Sequence, residues 1–278
     1  MSFFYINHHL LNIVFIILSM FLLTLMVFFA NVKNMAIKDT YTKLLLAFLL
    51  ISKNSDVTFT KEIASIFKIV YNQKTRKTLQ SLEKHEYIKS VENKSDTYRF
   101  TKEGKTYAYL KFPFFRYLES AWDNKWRIIS YEIPENKRYL RDRLRREVAG
   151  WGLGPWHRSF WLTPHPILSE LKLLAEEKKV SEYIQAFEGE HAIGQKETLL
   201  EKVWNITKLE KEYKKLFKIW HDILAKDIHK HQKLKEIIEA YTGVLKVDPG
   251  LPKELLKNQW IGFEAYSIYN EIKSILLV

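Results

Sequence analysis

Residues 126–148 read WRIISYEIPENKRYLRDRLRREV, and this stretch predicts a buried strand that leads into an amphipathic helix. Apolar and polar residues alternate from Ile129 to Ile133, which is the two-residue period of a strand with one face in a core. Apolar residues then recur every fourth position from Leu140 to Val148, the spacing of a helix that buries one stripe. A strand followed by a helix is therefore the expected start of a mixed α/β unit.

The remaining surface of this predicted helix carries six cations. They are Lys137, Arg138, Arg141, Arg143, Arg145 and Arg146. Such a row can follow the phosphates of a nucleic acid, but charged rows more often form a solvated helix face. The solvated face is the preferred interpretation.

Composition favours a polyanionic partner. Lys and Arg number 44 against 32 Asp and Glu, which gives a formal net charge of +12. This excess suits DNA, RNA or an anionic membrane surface. The chain has no cysteine, so disulfides, thiolate catalysis and cysteine zinc sites are excluded. A length of 278 residues with 47% hydrophobic content predicts three compact units.

An apolar leader occupies residues 1–35. Its segment 10–32, LLNIVFIILSMFLLTLMVFFANV, carries no charge and is long enough to cross a bilayer as a helix. Lys33 and Lys38 follow it, which would leave the rest of the chain in the cytoplasm. The alternative is that the true start is Met35 and that the leader is not translated. Both interpretations stay open.

Residues 36–111 have the element order of a winged helix. The segments 40–51, TYTKLLLAFLLI, and 58–67, TFTKEIASIF, predict two helices, and a third begins near Asn72. Residues 88–101, IKSVENKSDTYRFT, predict two short strands around a polar turn. In a winged helix the third helix enters the major groove of DNA.

The third predicted helix turns Leu79 and Leu82 inward, which leaves its other face for DNA. The residues expected to contact DNA are Lys74, Thr75, Arg76, Lys77 and Gln80 of this helix and Lys94 and Arg99 of the wing. Residues 36–111 contain fifteen Lys and Arg against eight Asp and Glu, a net +7, so much of the excess charge lies in this segment. The alternative is a small helical domain used for protein contact.

The rest of the chain predicts two further units. Residues 112–121 form a connector, and residues 122–192 alternate strand, helix, strand, helix, strand, as a ferredoxin-like α/β sandwich does. A turn that contains several glycines precedes the second of these strands, and that strand is predicted at 159–163. Residues 193–278 are helical, with one break at VDPGLP (247–252). The fold class is therefore α+β and multidomain.

Two blocks resemble the phenylacetate-operon repressor family, the PaaX-like regulators. They are WDNKWRIISYEIPENKRYLRDRLRREVAGWGLGPWHRSFWLTPHP at 122–166 and DPGLPKELLKNQWIGFEAYSIYNEI at 248–272. The likeness covers roughly 36–278. It implies a cytoplasmic, homodimeric transcriptional repressor that binds double-stranded DNA. It also implies a middle domain akin to the CRISPR-associated "Cas two" fold, and an acyl-CoA thioester as the inducing ligand.

Glu132 supplies the alternative function, a metal-dependent nuclease. It falls where the CRISPR nuclease-like fold carries a metal-binding Asp at the end of its first strand. A divalent ion needs several oxygen ligands, and the strand ends offer no second carboxylate unless a dimer supplies one. A buried or helix-capping glutamate is the simpler interpretation. The chain is therefore predicted not to be an enzyme and to hold no metal or cofactor.

Two other groups of residues are assigned structural roles. The first consists of polar side chains whose helical spacing does not suit a shared metal: His221, Asp222, His229 and His231. The second consists of aromatic side chains near the glycine turn, expected to pack rather than to stack on bases: Trp151, Trp156 and Trp161. The chain contains no P-loop, nucleophile elbow or Rossmann fingerprint.

Overall fold

The structure, a computed structural model, describes residues 39–52, 56–157, 159–256 and 260–277. Within these ranges the protein is a mixed α+β structure with two antiparallel sheets. The apolar segment 10–32, predicted as a possible transmembrane helix, lies outside them. No helix in the described ranges combines the length and the apolarity that a membrane crossing needs.

Helices surround a small sheet in the N-terminal part of the described chain. In order, the elements are α1 (Thr40–Ile51), β1 (Val57–Thr58), α2 (Lys61–Ile66), α3 (Gln73–Lys84), β2 (Ile88–Ser90), β3 (Thr97–Phe100), α4 (Lys102–Lys111) and, after a 3-10 turn, α5 (Arg116–Glu119). The sheet order is β1–β3–β2. The three predicted helices and the two predicted strands are confirmed as elements, whereas the sequence pattern predicts neither β1 nor α4.

The apolar helix α1 is the centre of this part. Its residues 44–48 are all buried, because α3 and α4 both pack against it. The Phe48 ring lies 6.4 Å from that of Phe59 and 5.5 Å from that of Phe100. An apolar surface on most sides of a helix is typical of a central core position.

The second sheet combines four strands with two helices on the same chain segment. The elements are β4 (Trp126–Tyr131), α6 (Arg138–Gly150), β5 (Gly154–His157), β6 (Phe160–Thr163), α7 (Leu168–Glu177) and β7 (Ile184–Gly189). The sheet order is β5–β6–β4–β7, and every pair is antiparallel.

The prediction of a turn before the second strand is incomplete, because Gly154–His157 form the additional strand β5. This strand pairs with β6 and is irregular between Pro155 and His157. Glycine and proline suggested a turn, but an edge strand tolerates both, since one of its sides needs no ladder hydrogen bonds.

One face of the second sheet packs on the helix predicted from the opening stretch. Ile129 and Tyr131 of β4 share a core with Leu144 and Val148 of α6. The indole Nε1 of Trp161 donates to the Tyr131 hydroxyl at 3.0 Å. The two periodicities in residues 126–148 therefore predict the packing correctly.

Four helices complete the described chain. They are α8 (Lys196–Trp204), α9 (Ile206–Ala225), α10 (Lys230–Leu245) and α11 (Ile261–Leu276). The predicted break follows α10, where residues 248–252 belong to neither a helix nor a strand. The core between these helices is rich in aromatic side chains, including Tyr213, Trp220 and Tyr241.

Two glycines allow the break segment to approach the rest of the fold closely. Gly250 has φ +65°, and an added Cβ there would lie 2.2 Å from the Pro113 carbonyl. Gly152 has φ +86°, and an added Cβ would lie 2.4 Å from the Pro249 carbonyl oxygen. Both positions need glycine for its positive φ and for its lack of a side chain.

Buried polar groups lie at the same contact. His165 Nε2 is 2.7 Å from the Pro249 carbonyl oxygen and carries the proton, since a carbonyl only accepts. Asp248 accepts from the Tyr213 hydroxyl at 2.5 Å and from Gly250 N at 2.7 Å. Burial lowers the pKa of His165 to about 3 and raises the pKa of Asp248 to about 6. Residues 113, 152, 165 and 248–250 are called the buried junction below.

Candidate nucleic-acid interface

The helix α3 is fixed by its cap and by its apolar side. The Asn72 side chain accepts from Thr75 N at 3.2 Å, as an N-cap does. Leu79 and Leu82 are buried, as predicted. The residues that remain on the solvent side are called the α3 face: Lys74, Arg76, Lys77 and Gln80. The structure therefore presents four of the five predicted contact residues of this helix to solvent.

Thr75 is the fifth, and the prediction that it faces outward is wrong. Its side chain is 1% exposed, and its hydroxyl donates to the Val70 carbonyl at 2.6 Å. Thr75 follows the Asn72 cap by three residues, so it lies on the side of the first turn that faces the preceding loop. Its role is to hold the start of α3 in place.

Tyr71 orients Arg76 and was not singled out from the sequence. The Arg76 guanidinium carbon lies 5.6 Å from the centre of the Tyr71 ring, within cation–π range. The same ring stacks on Phe59 at 6.2 Å. Burial, and then the Asp96 carboxylate in the turn between β2 and β3, raise the pKa of Tyr71. Tyr71 directly precedes the helix cap Asn72. This position was the one sign in the sequence that the aromatic ring lies beside the start of α3.

The two predicted wing residues differ in their surroundings. Lys94 lies in the turn between β2 and β3, is exposed, and has no ion-pair partner within the described ranges. Arg99 of β3 pairs with Asp56 at 2.9 Å, and this bond lowers the pKa of the Asp56 carboxyl. A phosphate would have to compete with Asp56 for Arg99, so Lys94 is the better placed cation.

Contacts with α10 hold the unit that carries α3. Lys68, in the turn after α2, pairs with Glu239 at 2.5 Å. His231 Nε2 lies 3.1 Å from the Glu62 carbonyl oxygen, so this histidine serves a contact between elements. His221 lies 3.5 Å from its neighbour Asp222.

Glu132 is neither buried nor a helix cap, so the simpler interpretation of this residue is also wrong. Its side chain is exposed, and its backbone N–H donates to the Tyr183 carbonyl at 2.9 Å. Pro134 and Lys137, rather than Glu132, occupy the N-cap positions of the 3-10 turn and helix that follow. Among the described residues, no set of three or more His, Asp or Glu side chains could hold a metal ion.

The tryptophans near the glycine turn divide into two groups. Trp151 and Trp161 are buried in the core between the second sheet and its helices, as expected. Trp156 of β5 is 38% exposed and lies on the opposite face of the sheet.

The cations of α6 belong largely to a solvated face. Arg138 and Arg141 lie 3.6 Å and 3.0 Å from Glu135 carboxylate oxygens. Arg143 and Arg146 are exposed. Local pairing already offsets part of this charge, which favours the α3 face as the candidate interface.

Two family models match the chain downstream of this interface. Residues 119–200 match the model described as "PaaX protein central Cas2-like domain". Residues 204–277 match the model described as "PaaX-like protein C-terminal domain". The chain belongs to the PaaX-like family. The two matched segments of this PaaX-like protein contain both sequence blocks on which the resemblance rests, 122–166 and 248–272.

A named relative agrees with this assignment. The "Transcriptional repressor PaaX" of Escherichia coli (strain K12) is 27% identical to this PaaX-like protein over 165 residues. The match covers 54% of this chain and 51% of the relative, so it spans about half the length of that curated protein. A solved structure, "Uncharacterized protein Rv0674 from Mycobacterium tuberculosis", aligns with 84% of this chain and 94% of its own at 16% identity and a TM-score of 0.48.

Proposed function

We propose that this PaaX-like chain is a DNA-binding transcriptional repressor. The observation that carries the proposal is the α3 face, where three cations and an amide project from one capped helix beside the exposed Lys94 turn. Cations of this kind contact phosphates, and Arg76 has the planar fork that reads guanine. A relative named as a transcriptional repressor supports the same function.

We propose the following domain assignment. Residues 36–111 are a winged helix, with α3 as the recognition helix and the β2–β3 hairpin as the wing; residues 112–121 are a connector. Residues 122–192 are a ferredoxin-like domain, supported by the order β5–β6–β4–β7 and by the two helices between its strands. Residues 193–278 are the helical C-terminal domain.

We propose double-stranded DNA, a second copy of the chain and a metabolite as partners. A homodimer would present two α3 helices to two half-sites. An acyl-CoA-type effector would control binding, and the protein would act in the cytoplasm, where the chromosome is. These partners rest on the family resemblance.

The test is salt-dependent binding to duplex DNA. The variant Lys74→Ala/Arg76→Ala/Lys77→Ala should lower affinity strongly and reduce the slope of log K against log salt by about two to three, because each lost phosphate contact removes about 0.9. The matched control removes three exposed lysines of α9, Lys211, Lys214 and Lys218, and should leave the slope unchanged. Equal binding by both variants and the parent chain would refute the proposal.

The nuclease alternative is not favoured. Glu132 is exposed, and among the described residues no carboxylate set able to hold a metal accompanies it. Magnesium- or manganese-dependent cleavage that Glu132→Gln abolishes, without duplex binding, would reverse this preference.

A further inference from the structure

A stripe of exposed side chains runs along the outer side of α6. Tyr139, Arg143 and Arg146 are spaced four and three residues apart, which places them on one side of the helix. Tyr139 is 69% exposed, and both arginines are exposed. The buried residues of the helix, Leu144 and Val148, lie on the opposite side. Tyr139, Arg143 and Arg146 are called the α6 stripe below.

The carboxylates around α6 do not neutralise the two arginines of the stripe. Arg143 and Arg146 have no ion-pair partner within the described ranges. Four carboxylates on or beside the helix are already paired with other cations. The pairs are Glu135 with Arg138 and Arg141, Asp142 with Arg138, Glu147 with Lys111, and Glu177 with Lys178. Two positive charges on this surface are therefore left without a local counter-ion.

The helix α4 connects α6 to the end of α3. His85, the C-cap of α3, stacks on Tyr87 at 5.8 Å, and Tyr87 stacks on Tyr107 of α4 at 4.6 Å. Tyr107 in turn packs against the core into which α6 buries its apolar side. At the end of α4, Lys111 Nζ donates to a Glu147 carboxylate oxygen of α6 at 2.7 Å. Packed side chains therefore fix the position of the α6 stripe relative to α3.

The composition of the stripe favours a nucleic-acid backbone over a protein surface as its partner. Protein interfaces usually have an apolar core, and the stripe contains one aromatic ring and no aliphatic side chain. A guanidinium can bind a phosphate with two parallel hydrogen bonds, and tyrosine hydroxyls also contact phosphates. The formal net charge of +12 attracts a polyanion to the chain as a whole.

We propose that the α6 stripe binds phosphates of the same duplex that the α3 face reads, outside the base pairs that α3 contacts. The inference rests on the proposed repressor function, because it begins from DNA bound at α3. Phosphate contacts carry no direct sequence information. The stripe would therefore lengthen the binding site and raise affinity without adding a base preference.

The experiment uses the full chain and a duplex selected from a random pool by its binding to that chain. The duplex is trimmed from its ends in steps, and the affinity for each length is measured at 50 and 200 mM salt. For the longest duplex, Arg143→Ala/Arg146→Ala should lower the salt slope by about two, because each lost phosphate contact removes about 0.9. The affinity advantage of the parent chain should then shrink about tenfold between the two salt concentrations. On the shortest duplex that still binds, variant and parent should have equal affinity.

The matched control is Arg138→Ala/Arg141→Ala. It removes two charges of the same type from the same helix, but from arginines that already pair with Glu135. It should leave the salt slope and the dependence on duplex length unchanged. Arg143→Lys/Arg146→Lys keeps both charges and should retain the slope of the parent chain. Thermal melts establish that each variant is folded.

Tyr139→Phe tests the third residue of the stripe. It removes a neutral hydroxyl donor, so affinity for the longest duplex should fall about three- to fivefold. The salt slope should stay the same, because no charge is lost.

Three outcomes would overturn the proposal. The first is equal binding of every duplex length by the parent chain and Arg143→Ala/Arg146→Ala. The second is an equal loss in both double-alanine variants, since the total charge of α6 would then explain the effect. The third is binding to phosphatidylserine vesicles that Arg143→Ala/Arg146→Ala abolishes, without any effect of duplex length, since the stripe would then bind a membrane surface.

Failure of the repressor proposal gives a different result. If the parent chain selects no duplex, both proposals fail. If the parent binds a duplex and the α3 variant loses binding at every length, but trimming affects parent and Arg143→Ala/Arg146→Ala alike, only the proposal for the α6 stripe fails.

Discussion

The α3 face and the buried junction both contain polar side chains. Those of the α3 face are exposed to water, whereas those of the junction are buried. On the α3 face, Lys74 and Arg76 are solvated and available to a partner. In the junction, His165 is fully buried and Asp248 is 4% exposed. His165 Nε2 and the Asp248 carboxylate bond neighbours inside the protein, whereas His165 Nδ1 has no hydrogen-bond partner among the described residues. Polar groups are therefore free for the proposed DNA binding on the α3 face, whereas in the junction they hold the fold together.

The difference lies in what a substitution would remove. An exposed cation contributes little to folding, because solvent replaces its contacts and salt screens its charge. A buried polar group is costly to leave without its partner. Changes on the α3 face should therefore alter affinity with little effect on stability, and changes in the junction should alter stability first.

The largest effect is expected for Gly250→Ala in the junction. An added Cβ would overlap the Pro113 carbonyl, and alanine resists the φ of +65°. The free energy of unfolding should fall by about 3 kcal/mol or more, as at other strained and crowded positions. Gly243→Ala is the matched control, because nothing lies within 4 Å of an added Cβ in α10. It should stabilise the helix by roughly 0.5–1 kcal/mol in urea denaturation.

His165→Gln should change how stability depends on pH. The pKa of His165 falls from 6.5 in the unfolded chain to about 3 in the fold. Between these two pH values the histidine is protonated in the unfolded chain and neutral in the native chain. Between about pH 6.5 and pH 3, acidification should therefore cost about 1.4 kcal/mol per pH unit through this group. Glutamine retains an N–H donor for Pro249 but does not titrate, so the variant should lose less stability on acidification than the parent chain.

Asp248 should have the opposite effect on the pH dependence of stability, so a variant of this residue checks the prediction for His165. Its pKa is raised to about 6 from 3.8, so protonation on acidification stabilises the fold between these two values. Asp248→Asn should therefore make the loss of stability on acidification steeper, whereas His165→Gln makes it shallower. Parallel pH profiles of the two variants would show that the junction does not titrate as described.

On the α3 face, Arg76→Ala should cost about 1–3 kcal/mol in duplex binding and relax specificity at one position of each half-site. Lys94→Ala should weaken all sequences alike and lower the salt slope by about one. Neither variant should shift the denaturation midpoint. Unchanged affinity, specificity and salt slope in both would identify the N-terminal unit as a protein-contact module.

The smallest effect on stability is expected for Thr75→Val. This variant tests whether Thr75 has a structural role or belongs to the α3 face. Valine keeps the shape of Thr75 but leaves the Val70 carbonyl without its donor, so stability should fall by about 1 kcal/mol. Thr78→Val is the control, since the Thr78 hydroxyl bonds the Lys74 carbonyl at the exposed side of the helix. If Thr75→Val instead lowered DNA affinity and left stability unchanged, Thr75 would be a DNA-contact residue rather than a structural one.

Local patterns were sufficient for most of the helices and most of the strands, although they missed α4 and β1. The alternation from Ile129 to Ile133 and the four-residue spacing to Val148 require only neighbouring residues, and both gave the correct buried faces. The strand β5 was missed because its pairing with β6, rather than its glycine and proline, determines its conformation.

The net charge, the order of the helices and the inward direction of the α3 leucines follow from the sequence by itself. Composition and hydrophobic periodicity are properties of neighbouring residues and do not depend on long-range contacts. Only the tertiary structure decided that Thr75 is buried, that Tyr71 orients Arg76, and that Arg99 is held by Asp56. The buried junction likewise joins residues far apart in the chain. The environment of its polar groups depends on which surfaces exclude water, and that is determined only when the elements pack together.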